Sequence, residues 1–136
     1  MSVHQLTIQT PGKGLFQITS EIETLVREAD LQEGLCTIMI RHTSASLTIQ
    51  ENADPRAKRD LEAWLERLVP EGDAIYTHTA EGPDDMPAHI KAILTATSLS
   101  IPVESSRLTL GTWQGIYVWE HRRQSSLRKL VVHFCD

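Results

Sequence analysis

Apolar and polar residues alternate in short runs at both ends of the chain and recur at helical spacing in between. The runs "HQLTIQT" and "GLFQIT", split by Pro11, Gly12 and Gly14, predict two strands around a turn. Ser20 followed by Glu23 predicts a capping box, after which Ile22, Leu25, Val26 and Ala29 share one helical face until Gly34. "CTIMIRH" and "SLTIQEN" read as two further strands joined by a tight hairpin. Asp54 as N-cap and Pro55 in the first turn start a second helix, with Leu61, Trp64, Leu65 and Leu68 as its inner stripe and Pro70 as its stop. A polar loop runs from Glu71 to Asp85. It leads to a third helix starting at Pro87, capped by Asp85 or Met86, whose inner face carries Ile90, Ile93 and Leu94. From Ser98 onward only strands follow: "LSIPV", "RLTL", "QGIYVWEH" and "LRKLVVHF". The order predicts an α+β fold over residues 1–136, a single compact domain with a mostly antiparallel sheet and about three helices.

Length and charge narrow the partners. A chain of 136 residues buries roughly two thirds of its unfolded surface as one domain. Thirteen basic against eighteen acidic residues, net charge −5, disfavour phosphodiester backbones and anionic lipid as partners, so neither nucleic acid nor membrane is expected. No stretch approaches the roughly 18 apolar residues of a membrane span, and "MSVHQLTIQT" is not a basic region followed by an apolar run, so a cytoplasmic location is expected. Cys36 and Cys135 stand in apolar strands without C-x-x-C spacing, which predicts small buried hydrophobes.

Three places break the apolar pattern. Cys36, Ile38, Ile40 and His42 share a face, so His42 ends an apolar face, either as a core histidine or as a site residue. Leu47, Ile49 and Glu51 repeat this with a carboxylate, and so do Ile116, Val118 and Glu120. An unpaired buried carboxylate costs several kcal/mol, so each needs a cation, a donor or a wet edge. A tight hairpin at 43–46 would place Glu51 about 13 Å along the strand from His42, out of reach of one intrachain site. Asn52, Asp54 and Pro55 are accounted for by a turn and a helix start.

The loop "HTAEGPDDMPAH" gathers His78, Glu81, Asp84, Asp85 and His89 around a helix start, which reads either as a solvated acidic loop or as metal ligands. Near a helix N-terminus the dipole favours neutral imidazole for His89, the form a metal needs. Gly111 and Gly115 bracket Thr112, Trp113 and Gln114, a bend that could present an aromatic plane, a hydroxyl and an amide to a heteroaromatic ring, or simply cover the core. Arg41, Arg56, Arg59, Lys91, Arg122 and Arg123 are candidates for holding a phosphate; no Gly-rich phosphate loop or nucleophile elbow is present.

In this order and spacing, "RHTSASLTIQENADP", "EGPDDMPAHIKA", "SLSIPV" and "LGTWQGIYVWEHR" resemble the YjbQ-like family, often labelled secondary thiamine-phosphate synthase. The resemblance covers nearly the whole chain. It implies a compact α+β subunit in a homotrimer, where His42 of one chain could approach carboxylates of another. It also implies polar site positions at His42, Thr43, Ser44, Glu51, Asn52, Asp54, Asp85, His89, Thr112, Trp113, Gln114 and Glu120. Of these, His42, Glu51, His89 and Glu120 are the catalytic candidates. Thr43, Ser44, Asn52, Thr112, Trp113 and Gln114 are the substrate-binding candidates, and His42, Asp85 and His89 would hold a divalent metal, Zn or Mg. The label implies joining a pyrimidine diphosphate to a thiazole phosphate, which needs a cation for the leaving diphosphate and a surface for the ring. Metal-assisted hydrolysis of a small phosphorylated substrate and a non-catalytic ligand-binding trimer are the rival readings. Two departures from the family pattern are Ala96, where many relatives have glycine, and "ESSR" in place of an Asn-Gly-type turn.

Overall fold

A computed structural model describes residues 2–136. Its element order is β1 (Ser2–Thr10), β2 (Gly14–Gln17), α1 (Thr19–Ala29), β3 (Glu33–Ile40), β4 (Ala45–Glu51), α2 (Pro55–Leu68), α3 (Asp85–Leu94), β5 (Ser98–Glu104), β6 (Arg107–Leu108), β7 (Gln114–Glu120) and β8 (Ser126–Cys135). The strands form two antiparallel sheets, one in the order β1-β8-β3-β5-β6 and one in the order β2-β7-β4.

Sequence neighbours are not sheet neighbours here. β1 and β2, β3 and β4, and β7 and β8 each divide between the two sheets, and among the described residues only β5–β6 is a hairpin of consecutive strands. The tight β3–β4 hairpin expected from the alternation therefore does not form. Arg41 N–H instead donates to Lys129 O, extending the pairing with β8, and the chain then crosses to the second sheet, where β4 pairs with β7. Alternation specifies which side chains face inward but not which sheet a strand joins, because both sheets bury their inner faces in one core.

That core lies between the two sheets and α1. Ile22 and Val26 of α1 meet Cys36, Ile38 and Ile40 of β3, Leu47 of β4, Ile116 and Val118 of β7, and Leu130 and Val132 of β8. A smaller cluster of Leu15, Leu65, Val69, Tyr117 and Trp119, with Leu61 and Ile90 against it, covers the other face of the second sheet under α2 and α3. β7 is consequently buried on both faces from Gly115 to Glu120. At one point only glycine fits: a Cβ on Gly34 would stand 2.3 Å from the carbonyl oxygen of Cys135. Cys36 and Cys135 are free thiols, and burial pushes the Cys36 thiol up to about 12.

The helices depart from the sequence in three ways. α1 starts at Thr19 without a side-chain cap; Ser20 lies inside it and donates to Glu21, and Asp30 in the left-handed region ends it before Gly34. α2 is capped as expected, with Asp54 Oδ1 accepting from Arg56 N–H at 2.9 Å. Its inner stripe, however, is Leu61–Leu65–Val69, while Trp64 and Leu68 are each 51% exposed. α3 begins at Asp85, two residues early, and buries Asp85, Pro87, Ala88 and Lys91, whereas Ile93 and Leu94 face outward. Its inner face thus carries Asp85 and Lys91 beside Pro87 and Ala88, with Lys91 ion-paired to Glu66 of α2. No helix among the described residues is long and apolar enough to cross a membrane.

Candidate functional site

The end of β4 that follows β3 is where the chemistry collects. Asp85 and His89 stand one turn apart on α3, on the same face, and the loop before α3 brings His78 to them. His78 Nε2 lies 2.7 Å and His89 Nε2 3.0 Å from the same oxygen, Asp85 Oδ2. One ligand atom from each of the three residues falls within 4.8 Å of the others. The expected metal set was His42, Asp85 and His89; the structure gathers His78 in place of His42. His78 was visible as part of the histidine-rich acidic loop, but neither spacing nor periodicity distinguishes the ligand from its neighbours there.

The hydrogen-bond pattern at His89 constrains its protonation. Its Nδ1 lies 2.8 Å from the carbonyl oxygen of Thr43, which can only accept, so Nδ1 must carry a hydrogen. In neutral imidazole Nε2 is then an acceptor, and it faces a carboxylate oxygen that is also an acceptor. Two acceptors at 3.0 Å need a positive centre between or upon them, either a proton or a metal ion. The donor set fits a metal: a histidine whose far nitrogen is fixed by a backbone carbonyl is the usual arrangement of a metal ligand. Two imidazoles and one carboxylate suit zinc with an open fourth position better than magnesium, which prefers oxygen.

Asp85 is in turn held by Arg122. That guanidinium donates from Nε to Asp84 Oδ2 at 3.0 Å, from Nη1 to Asp85 Oδ1, and from Nη2 to the carbonyl of Glu81 at 2.9 Å. For Asp85, burial opposes ionisation, but His78 hydrogen bonding and the charges on His89 and Arg122 outweigh it and hold the carboxyl below its usual range. Arg122, a sequence candidate for phosphate, is thus engaged in organising the loop. If the cluster holds zinc, replacing Arg122 by alanine is expected to weaken that binding by about 10–100-fold while leaving the cooperative fold intact, measured by competition with a chromophoric chelator. Lysine should rescue little, since it cannot reproduce the fork.

His42 is adjacent but separate. Its Nε2 accepts from Lys129 N–H at 2.8 Å, and burial together with the cations of Arg128, Lys129 and Arg41 lowers its pKa against the pull of Glu120. Thr43 contributes its carbonyl to His89, and Ser44 accepts from Arg128 through Oγ at 3.0 Å. Glu120 is fully buried: Oε1 accepts from Thr10 Oγ1 and Arg128 Nε, both at 2.6 Å, and Oε2 accepts from Arg128 Nη2 and from Arg122 N–H at 3.0 Å.

The remaining candidates lie at the other end of β4. Glu51 Oε2 accepts from Asp54 N–H at 3.0 Å, and Asn52 N–H donates to Trp113 O at 2.9 Å. Gly111 N–H donates to Gln114 Oε1 at 2.7 Å, tightening the bend that carries Thr112 and the exposed Trp113 ring. Six residue steps separate Ala45 from Glu51, about 20 Å at 3.4 Å each. One chain therefore brings His42, Thr43, Ser44, Asp85, His89 and Glu120 to one end, and Glu51, Asn52, Thr112, Trp113 and Gln114 to the other.

The chain is thus a two-sheet α+β domain with a histidine–aspartate–histidine cluster at one sheet end. Residues 4–136 match the family described as UPF0047 protein YjbQ-like, and the chain belongs to that family. It is 51% identical to the UPF0047 protein sll1880 of Synechocystis over 94% of this chain and 87% of that one. It is 42% identical to the UPF0047 protein YjbQ of Escherichia coli O157:H7 over 93% and 91% of the two chains. Among solved structures, a YjbQ/UPF0047-family protein of Clostridium acetobutylicum superimposes with a TM-score of 0.89 at 36% identity, covering 97% of this chain and 99% of that one.

Proposed function

We propose that this protein is a metal-assisted enzyme acting on a small phosphorylated metabolite, with thiamine phosphate formation as the first reaction to assay. The observation that supports the reading is the contact between His89 Nε2 and Asp85 Oδ2, which a zinc ion in place of a shared proton would satisfy. The metal would supply positive charge at a leaving diphosphate or, in the rival hydrolytic reading, an activated water. The chain's own residues then divide the work. Thr43 fixes the His89 tautomer, Arg122 fixes Asp85, and His42 offers its ring Nδ1 as a donor beside the cluster, because Nε2 is taken by the Lys129 amide.

The homotrimer implied by the resemblance belongs to the same proposal. A site using both polar clusters cannot be built within one chain across about 20 Å, so a second subunit must supply one of them. Exposed Val3, Leu35, Met39 and Leu127 on the five-stranded sheet offer apolar surface for assembly. A cytoplasmic location completes the reading.

Metal content of the purified protein and its turnover of the two thiamine precursors, with and without chelator, test it alongside His89→Ala. Zinc near one equivalent per chain is expected, with His89→Ala losing more than ~100-fold in zinc affinity and turnover falling under both treatments. Undiminished turnover by metal-free protein would overturn the metal role. Hydrolysis of phosphate esters without thiamine phosphate formation would favour the rival reaction at the same centre.

A further inference from the structure

A cavity of about 150 Å3 lies between α2, α3, the start of β2 and the end of β7, and the Lys91 side chain forms part of its wall. We propose that it is a capture site for a small uncharged aldehyde or ketone, which condenses with the Lys91 amine to a protonated imine. α3 turns Asp85 and His89 to the metal-type cluster but Lys91 to this cavity, so the capture chemistry is separate from that cluster.

Lys91 is 2% exposed and is the one buried lysine of the chain. Burying an ammonium costs several kcal/mol unless its donors find acceptors. Nζ donates only to Glu66 Oε1, an oxygen that also accepts from Lys13 Nζ at 3.2 Å. Two of the three N–H donors of the ammonium therefore have no protein acceptor. A protonated imine keeps a single N–H, the one Glu66 takes, and keeps the positive charge that Glu66 neutralises. Condensation thus removes the two hydrogens for which the fold supplies no acceptor.

His121 supplies a second unused group on the same wall. Its Nε2 is 2.9 Å from Ser46 Oγ, and its Nδ1 makes no hydrogen bond among the described residues. None of their side-chain nitrogens or oxygens is both sealed from space and without a partner, so Nδ1 opens on the cavity that His121 lines. With Ser46 Oγ donating to Nε2, Nδ1 carries the ring hydrogen and donates to a carbonyl oxygen, polarising its carbon for attack. Leu65 and the Trp119 ring, 5.8 Å from that of His121, give the wall its apolar part. Lys13 and Lys91 balance Glu62 and Glu66, and Arg128 balances Glu120, so an uncharged ligand fits best. At ~30 Å3 for each water-sized volume, the space holds about five non-hydrogen atoms.

The condensation needs only these groups. Glu66 takes one proton from the Lys91 ammonium. The amine nitrogen bonds to the carbonyl carbon and passes a second proton to the oxygen, giving a carbinolamine. Glu66 returns its proton to the hydroxyl, the C–O bond breaks to release water, and the nitrogen lone pair closes the C=N bond. No oxidant or further reactant enters.

Incubating the full protein with glycolaldehyde and cyanoborohydride in EDTA, which fixes each imine as a secondary amine, tests the assignment by peptide mass spectrometry. Lys91 is expected to be alkylated at least about tenfold faster than Lys129, although Lys129 is exposed. In denaturant that preference should vanish. Glyoxylate, an anionic aldehyde, should show a smaller preference for Lys91. Lys91→Arg, which keeps the positive charge beside Glu66, should lose the fast phase and leave the labelling of Lys129 unchanged. Labelling of Lys129 as fast as Lys91, labelling of Lys91 only after denaturation, an equal preference with glyoxylate, or a fast phase retained in Lys91→Arg would each overturn the proposal.

Discussion

Glu120→Ala is expected to destabilise the fold by about 3–5 kcal/mol, lowering the thermal midpoint by on the order of 10 °C or more. The carboxylate is 1% exposed and accepts from Thr10, Arg128 and the Arg122 amide, so truncation leaves the Arg128 guanidinium buried and largely without its counter-charge. Arg128→Ala should cost a similar amount, by orphaning Glu120 and releasing Ser44. The double replacement Glu120→Leu with Arg128→Met should be less damaging than the sum of the single changes, because an apolar pair needs no compensation. Chemical denaturation of the four proteins measures this. Additive losses would contradict a pair buried as a unit. The same series separates structure from chemistry at Glu120: if the double variant folds and turns over substrate, the carboxylate has no part in the reaction.

Glu120 also illustrates what the sequence made legible. Two apolar residues followed by a carboxylate on one strand face marked Glu51 and Glu120 as the same anomaly, yet the resolutions differ. Glu120 finds Arg128 on β8, a partner eight residues away whose cross-sheet position no local pattern encodes, whereas Glu51 caps the entry to α2. Inward faces of β3, β4 and β7 were readable because burial enforces period-two alternation. The Asp54–Pro55 start of α2 was readable because capping is local chemistry. Strand partnership was not, since a crossing between sheets and a hairpin turn carry the same polar residues. The α3 face misled for another reason: Ile93 and Leu94 sit at helical spacing but face outward, while Asp85 and Lys91 are buried by ion pairs from distant elements. At the site, loop residue His78 joins Asp85 and His89 only through tertiary placement of residues 71–84, for which periodicity offers no guide.

Acidification is expected to weaken the fold well above the carboxylate range, and His121 is the cause. Its ring is buried between the second sheet and the helical layer, with Nε2 2.9 Å from Ser46 Oγ and the amide N–H donating to Ser44 O. Burial, reinforced by the cations of Lys91, Arg128 and Lys13 against the single opposing charge of Glu66, pushes its pKa down from 6.5 to about 3. Below pH 6.5 the unfolded chain therefore takes up a proton that the folded chain refuses, so stability falls with pH by roughly 1.4 kcal/mol per unit until about pH 3. Between pH 6.5 and 5 this amounts to about 2 kcal/mol. His42, whose pKa is lowered mainly by partial burial, adds a smaller loss of the same sign. Asp84, Asp85 and Glu66, held below their usual range by their cationic partners, lose their contributions only at more acid pH, which leaves pH 6.5 to 4.5 as the window in which histidine dominates. Denaturant midpoints taken across that window in the presence of EDTA, so that metal release does not contribute, should decline steadily for the wild type. His121→Gln keeps a side-chain partner for Ser46 but cannot titrate, and its curve should be much flatter. An equal slope in both proteins would mean that another group carries the acid sensitivity, and that the Ser46–His121 contact is no more than packing.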